Sequence, residues 1–168
     1  MSKAWIEELA VGIKEKNRDA ANAYGREQHR LGIIDARSPE FFGLLAQALD
    51  EDFAEIRAQL QGDVTSTDTS FERKTQDVVM MTRSRFPWFN ALLHHDGRTI
   101  VLEYAQGLGV GGDTKVASSS ERRVKVYSFV VTPDDTMLVE EGFGENPKRF
   151  SEPAELAKQI VETLFALS

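Results

Sequence analysis

Two runs rich in β-branched and aromatic residues, WFNALLHH (88–95) and RTIVLEYA (98–105), are separated only by Asp96-Gly97. Asp-Gly supplies the two positive-φ residues of a type I′ turn, whose twist matches that of the strands it joins. A two-residue turn fixes register, so both faces of the hairpin can be written out. The register pairs His95 with Arg98, Leu93 with Ile100, Ala91 with Leu102 and Phe89 with Tyr104. That face is apolar except at its end, and it reads as core. The opposite face pairs His94 with Thr99, Leu92 with Val101, Asn90 with Glu103 and Trp88 with Ala105, alternating polar and apolar as a half-covered surface or pocket wall does.

Around the hairpin the two-residue period continues. Strands are expected at 68–75, 77–84, 88–95, 98–105, 122–132 and 136–142, with Pro133-Asp134-Asp135 turning the last pair. Pro87 cannot donate to a ladder and marks a strand start. Short sequence steps between strands favour antiparallel pairing. At the ends the period is helical. Trp5, Leu9 and Ile13 begin a stripe that Ala20, Tyr24 and Leu31 continue, with Gly12 or Gly25 expected to bend or break it and Gly32 to stop it. A second helix is expected from Ser38 as cap and Pro39 at the first helical position, with Phe42, Leu45, Leu49, Phe53, Ile56 and Leu60 on one face and Gly62 closing it. Ser151 caps a last helix with the stripe Leu156, Ile160, Val161, Leu164 and Phe165.

The expected architecture is α+β in one domain over 1–168. Two N-terminal helices (1–62) precede an antiparallel meander of five to seven strands (63–143), and an amphipathic helix (151–167) packs on the sheet. At 168 residues such a chain buries roughly 70% of its unfolded surface.

Chemistry is harder to find. With no cysteine there is no disulfide and no thiolate ligand, which fits a reducing cytoplasm. Glu7, Glu8, Lys14 and Glu15 interrupt the opening apolar residues, so no signal-peptide core is expected, and no run approaches the roughly 20 apolar residues of a membrane span. His94 and His95 point to opposite sides of the sheet and cannot share a metal; His29 is the only other histidine. The carboxylates Asp50, Glu51, Asp52 and Glu55 lack the glycine and distal glutamate of a calcium loop. No metal, cofactor or catalytic set is assigned. Gly107 to Gly112 satisfies G-x-G-x-x-G, but the chain then runs on as a loop to Ser120 rather than opening a helix, so a pyrophosphate site is not expected. Lys125, Tyr127 and Phe129 resemble the first ribonucleoprotein motif of RNA-recognition domains, with Val126 in place of its glycine; packing under a helix accounts for them more simply.

The net charge of −7 is unevenly spread. Residues 73–125 carry nine bases against five acids, +4, which leaves −11 for the flanks. A ligand surface is expected on Trp88, Asn90, Leu92, His94, Thr99, Val101 and Glu103, in a cavity between sheet and helix, with Arg83 or Arg123 attracting an anion. His94 and Glu103 could exchange a proton there. In size, acidity and the joining of end helices to an antiparallel sheet, the chain resembles small secretion-chaperone proteins. Those insert a helix within the sheet order and this chain does not, so the resemblance is one of architecture. Three readings follow, in order: a cytoplasmic non-enzymatic module that binds a protein partner, with self-association as a homodimer; a small-molecule binder or enzyme; and a single-strand nucleic-acid binder.

Overall fold

The computed structural model describes residues 3–60, 69–85, 87–107, 122–142 and 145–166. One helix, α1 (Ala4–Gln59), leads into seven strands: β1 (Thr69–Thr75), β2 (Val78–Arg83), β3 (Trp88–His95), β4 (Thr99–Gly107), β5 (Arg123–Val131), β6 (Met137–Glu141) and β7 (Lys148–Phe150). A closing helix, α2 (Pro153–Leu164), follows. The strands form one sheet in chain order, each antiparallel to the next. The architecture is α+β with an antiparallel meander and a C-terminal helix, as the alternation implies. β7 was not foreseen; its three residues are too few for a period to show.

The N-terminal region corrects the expected pair of helices. A single helix of 56 residues runs through Gly12, Gly25, Gly32 and Pro39 without a break. Ser38-Pro39-Glu40 has the local signature of a helix start, but Ser38 is mid-helix and caps nothing. Burial explains the override. An interior proline costs about 3 kcal/mol, whereas each large apolar side chain taken from water contributes about 1.5–3 kcal/mol. Phe41, Phe42, Leu45, Leu49 and Phe53, all after Pro39, are buried. Any two of them offset the proline. The expected stop at Gly62 lies outside the described residues.

One face of the sheet carries the core. Val79, Met81, Phe89, Ala91, Leu93, Ile100, Leu102, Tyr127 and Val139 bury their side chains against the second half of α1 and against Leu156, Ala157, Ile160 and Leu164 of α2. At one end of this layer Phe53, Phe89 and Phe165 meet edge to face, with centroids 5.0–6.2 Å apart. At the other, Phe41 meets Phe129 at 5.5 Å. The start of α2 also differs from expectation: Ser151 is not its cap. Glu152 takes the cap position without a side-chain hydrogen bond, and Pro153 begins the helix.

The central hairpin keeps its faces and changes its register. Gly97 has φ +98°, the loop's only positive value, and Asp96 N–H donates to the Thr99 carbonyl at 3.1 Å. Gly97 and Arg98 are therefore the two central residues, with glycine first, as in a type II′ turn. Closing one residue later moves the partner of Leu93 from Ile100 to Leu102 and that of His95 from Arg98 to Ile100. A slip of two preserves sidedness, because side chains alternate with period two. Phe89, Ala91, Leu93, Ile100, Leu102 and Tyr104 are all buried.

Candidate interaction surface

The ligand residues expected from the sequence divide between the two faces of the sheet. Trp88, Asn90, Leu92, His94, Thr99, Val101 and Glu103 share the outer face, opposite the one that α1 and α2 cover, so they do not line a cavity between the sheet and these helices. Leu92 pairs with Glu103 and His94 with Val101; diagonally, His94 Nε2 lies 3.8 Å from Glu103 Oε1. Half-buried Val78, Met80 and Val126 extend this face across the neighbouring strands.

Arg83 is the clear departure. It lies on the helix-covered face, 3% exposed, donating from Nη1 to Thr69 Oγ1 at 2.6 Å with its guanidinium over the Phe165 ring. Parity explains it: Arg83 pairs with Phe89, an inward residue. Arg123 pairs with Tyr104, on the inward side too, but is exposed at the start of β5. Arg83 thus lies on the opposite face of the sheet from the outer residues, and Arg123 stands exposed at the strand's start.

Tyr127 and Phe129 also point inward and are buried, so the two aromatics of the ribonucleoprotein-like run present no stacking surface. Beside Tyr127, Lys125 Nζ donates to Glu141 Oε1 at 3.0 Å. Burial first, then the negative charge of Glu141, push the Tyr127 phenol well above its ordinary pKa. The glycine-rich run from 108 to 120 lies outside the described residues.

A constellation that sequence reasoning missed joins α1 to the hairpin. Ser38 Oγ lies 3.0 Å from His95 Nε2, and His95 Nδ1 lies 3.1 Å from Asp77 Oδ1. This is the connectivity of a nucleophilic triad, but its exposure is inverted. Ser38 is fully buried, while the Asp77 side chain is 59% exposed. The Ser38 hydroxyl also donates to the Gly97 carbonyl at 3.0 Å, and Phe42 stacks on the imidazole at 5.5 Å. A substrate carbonyl has no approach to Ser38. The three residues act as a fastener that seats the helix on the hairpin tip. No signal in the chain could have revealed a contact across 57 residues.

Beyond that fastener α1 leaves the core. Every residue from Lys3 to Arg30 is exposed except Gly12, which is partly so. Trp5 is 65% exposed, Leu9 56%, Ile13 51% and Tyr24 68%. At 3.6 residues per turn these side chains share a sector with Leu31, Ile34, Ser38 and Leu45, so the stripe that faces the core continues outward with none of the described residues packed against it. About 28 residues of helix at 1.5 Å each give an arm of about 40 Å.

Among the described residues, the arm meets the sheet at the β5–β6 turn. His29 Nε2 meets Asp135 Oδ2 at 3.1 Å in the β5–β6 turn, beside an open groove of about 550 Å3 lined in part by Arg26, Arg30 and Pro133. His29 falls on the flank opposite the apolar stripe, which this contact leaves free.

Among the described residues, no group of three or more His, Asp or Glu is placed to hold a metal ion. No described helix is long and apolar enough to cross a membrane. No protein-family model, curated protein or solved structure matches the chain.

Proposed function

We propose that this chain is a non-enzymatic protein-binding module, adaptor- or chaperone-like in character, whose docking element is the N-terminal half of α1. The supporting observation is the exposure of Trp5, Leu9, Ile13 and Tyr24 along one continuous stripe. Large aromatic and aliphatic side chains aligned on a helix are the anchors that partner grooves and partner helices accept. A contiguous apolar surface of this kind marks an interaction site. The sheet and α2 then serve as a base that holds one end of the helix.

A photo-crosslinking residue at Leu9, introduced in cells of the source organism, tests this. Protein adducts are expected at Leu9 and not at Glu51, an exposed position on the core half of the same helix. Equal labelling at the two positions, or none at Leu9, overturns the reading.

A second reading rests on the His94–Glu103 contact beside half-buried Leu92 and Val101: a small ligand lying on the outer sheet face. Concentration-dependent NMR shifts of the Leu92 and Val101 methyl groups with a fragment library would support it. Flat titrations would remove it.

A further inference from the structure

We infer that the fastener between α1 and the hairpin is proton-operated: the charge on His95 decides whether the Ser38 hydroxyl holds the Gly97 carbonyl. This stands apart from the binding reading above and follows from counting protons against acceptors. Ser38 is fully buried, and its hydroxyl has one proton for two neighbours, the Gly97 carbonyl at 3.0 Å and His95 Nε2 at 3.0 Å. The His95 side chain is 4% exposed, and its Nδ1 lies 3.1 Å from the Asp77 carboxylate, which when ionised can only accept. Phe42 stacks on the imidazole at 5.5 Å and Phe129 meets it edge to face at 5.8 Å, so the ring is held in this orientation. The His95 backbone N–H donates to the Asp77 carbonyl at 2.9 Å, which keeps the two residues side by side.

The two charge states give different sets of bonds. A protonated imidazole donates from both nitrogens. Nδ1 then bonds Asp77, Nε2 bonds Ser38 Oγ, and the Ser38 proton is left for Gly97, so all three contacts form at once. A neutral imidazole carries one proton, and the Asp77 carboxylate draws it to Nδ1. Nε2 then accepts, the Ser38 hydroxyl turns to it, and the Gly97 carbonyl loses its tie to the helix. The other charged groups on the adjoining turns are engaged elsewhere. In the β1–β2 turn the Arg73 guanidinium donates to the Thr75 and Gln76 carbonyls. At the hairpin tip Asp96 Oδ1 accepts from the Arg98 and Thr99 N–H groups, and Arg98 is exposed. Among the described residues, the groups that α1 and β5 bring to the ring are uncharged: Ser38, Phe42 and Phe129. Loss of the His95 proton therefore releases the hairpin tip from α1 near the point where the helix enters the core.

NMR of the full chain tests this, with the ring nitrogen shifts of His95 reporting its charge and tautomer directly. The Asp96 and Phe129 amides, which donate to the Thr99 and Arg98 carbonyls, report on the tip through their exchange protection factors. Between conditions in which His95 is seen to be charged and then neutral, tip protection should fall about fivefold, the worth of one hydrogen bond. The neutral ring should carry its proton on Nδ1. Ser38→Ala should leave His95 titrating and the tip weakly protected in both states. Asp77→Asn supplies an amide that can donate to Nδ1, so the neutral ring keeps its proton on Nε2 and the tip should stay protected throughout. The Asp77 side chain is 59% exposed, so this variant decides the matter even if Ser38→Ala fails to fold. Tip protection that does not follow the charge on His95, or a neutral ring protonated at Nε2 in the parent, overturns the proton-operated fastener. A pH step that persists in Asp77→Asn belongs to His29 or His94 and overturns it equally.

Discussion

The two halves of α1 obey the same local rules and meet opposite fates. From Ile34 to Phe53 the apolar stripe is buried on the sheet; from Trp5 to Tyr24 a stripe in the same sector stands in solvent. Helix propensity does not separate them. The core half contains Pro39, worth about 3 kcal/mol against it, while the arm contains Gly12 and Gly25, worth about 1 kcal/mol each. What differs is the partner surface: one half has a sheet beneath it, and among the described residues the other has none. Most helical stability in proteins comes from packing of an amphipathic face. The core half is held by its own fold; on the proposed reading, the arm is held by the partner it binds.

The contrast can be broken most directly by truncating one anchor in each half. Phe42→Ala should cost about 3–5 kcal/mol of unfolding free energy, because Phe42 is fully buried and stacks on His95. Leu9→Ala in the monomer should fall within about 0.5 kcal/mol of the parent. Urea titrations of both variants read the difference, and a costly Leu9→Ala in a monomer would mean that the arm folds back on its own chain.

A smaller effect is expected at the boundary between the halves. Ser38→Ala removes the hydroxyl that bridges the Gly97 carbonyl and His95 Nε2, leaving buried polar groups unmatched at about 1–3 kcal/mol. Amide exchange should then quicken around Ser38 and the hairpin tip while arm amides exchange as before. Unchanged protection at the tip would show that the fastener does not hold the helix.

The smallest effect is one of pH. Asp96 is raised by partial burial, but hydrogen bonds from the Thr99 side chain and from the Thr99 and Arg98 backbone, together with the nearby His94 charge, outweigh this and leave its pKa below the ordinary 3.8. A depressed folded-state pKa contributes stability that is present above 3.8 and lost as pH falls through the folded value. Asp96→Asn should flatten that acid limb of the stability curve, measured by thermal melts between pH 5 and 2. The carboxylate is largely exposed, so solvent screening keeps the effect small. An identical acid limb in the variant would mean that Asp96 does not shape the loop whose Gly97 carbonyl Ser38 grips.

The sheet was legible because side-chain alternation survives errors of detail. The hairpin closes one residue late, yet Leu93 and Ile100 stay inside and Leu92 and Val101 outside. Turn type was the hidden variable: Asp-Gly admits glycine as the second central residue, and here glycine is the first. The helix boundary was misread at Ser38-Pro39 because a strong local signal was outweighed by burial that only the folded chain supplies. The candidate surface was half visible. Periodicity exposed the stripe of Trp5, Leu9 and Ile13, but whether an apolar stripe is covered depends on contacts remote in sequence. Arg83 was misplaced because it was read for its charge rather than for its place in the alternation of β2.

Strand order has a consequence for the birth of the molecule. Because every strand pairs with its neighbour in the chain, the sheet can grow one hairpin at a time as the polypeptide leaves the ribosome, with little loop-closure entropy at each step. The helix that must roof it is synthesised first, and α2, which completes the roof, comes last. Until the last strands emerge, the greasy side of the nascent helix has no sheet to rest on, so translation itself contains a window in which Phe41, Phe42 and Leu45 are as bare as Trp5 is in the folded chain.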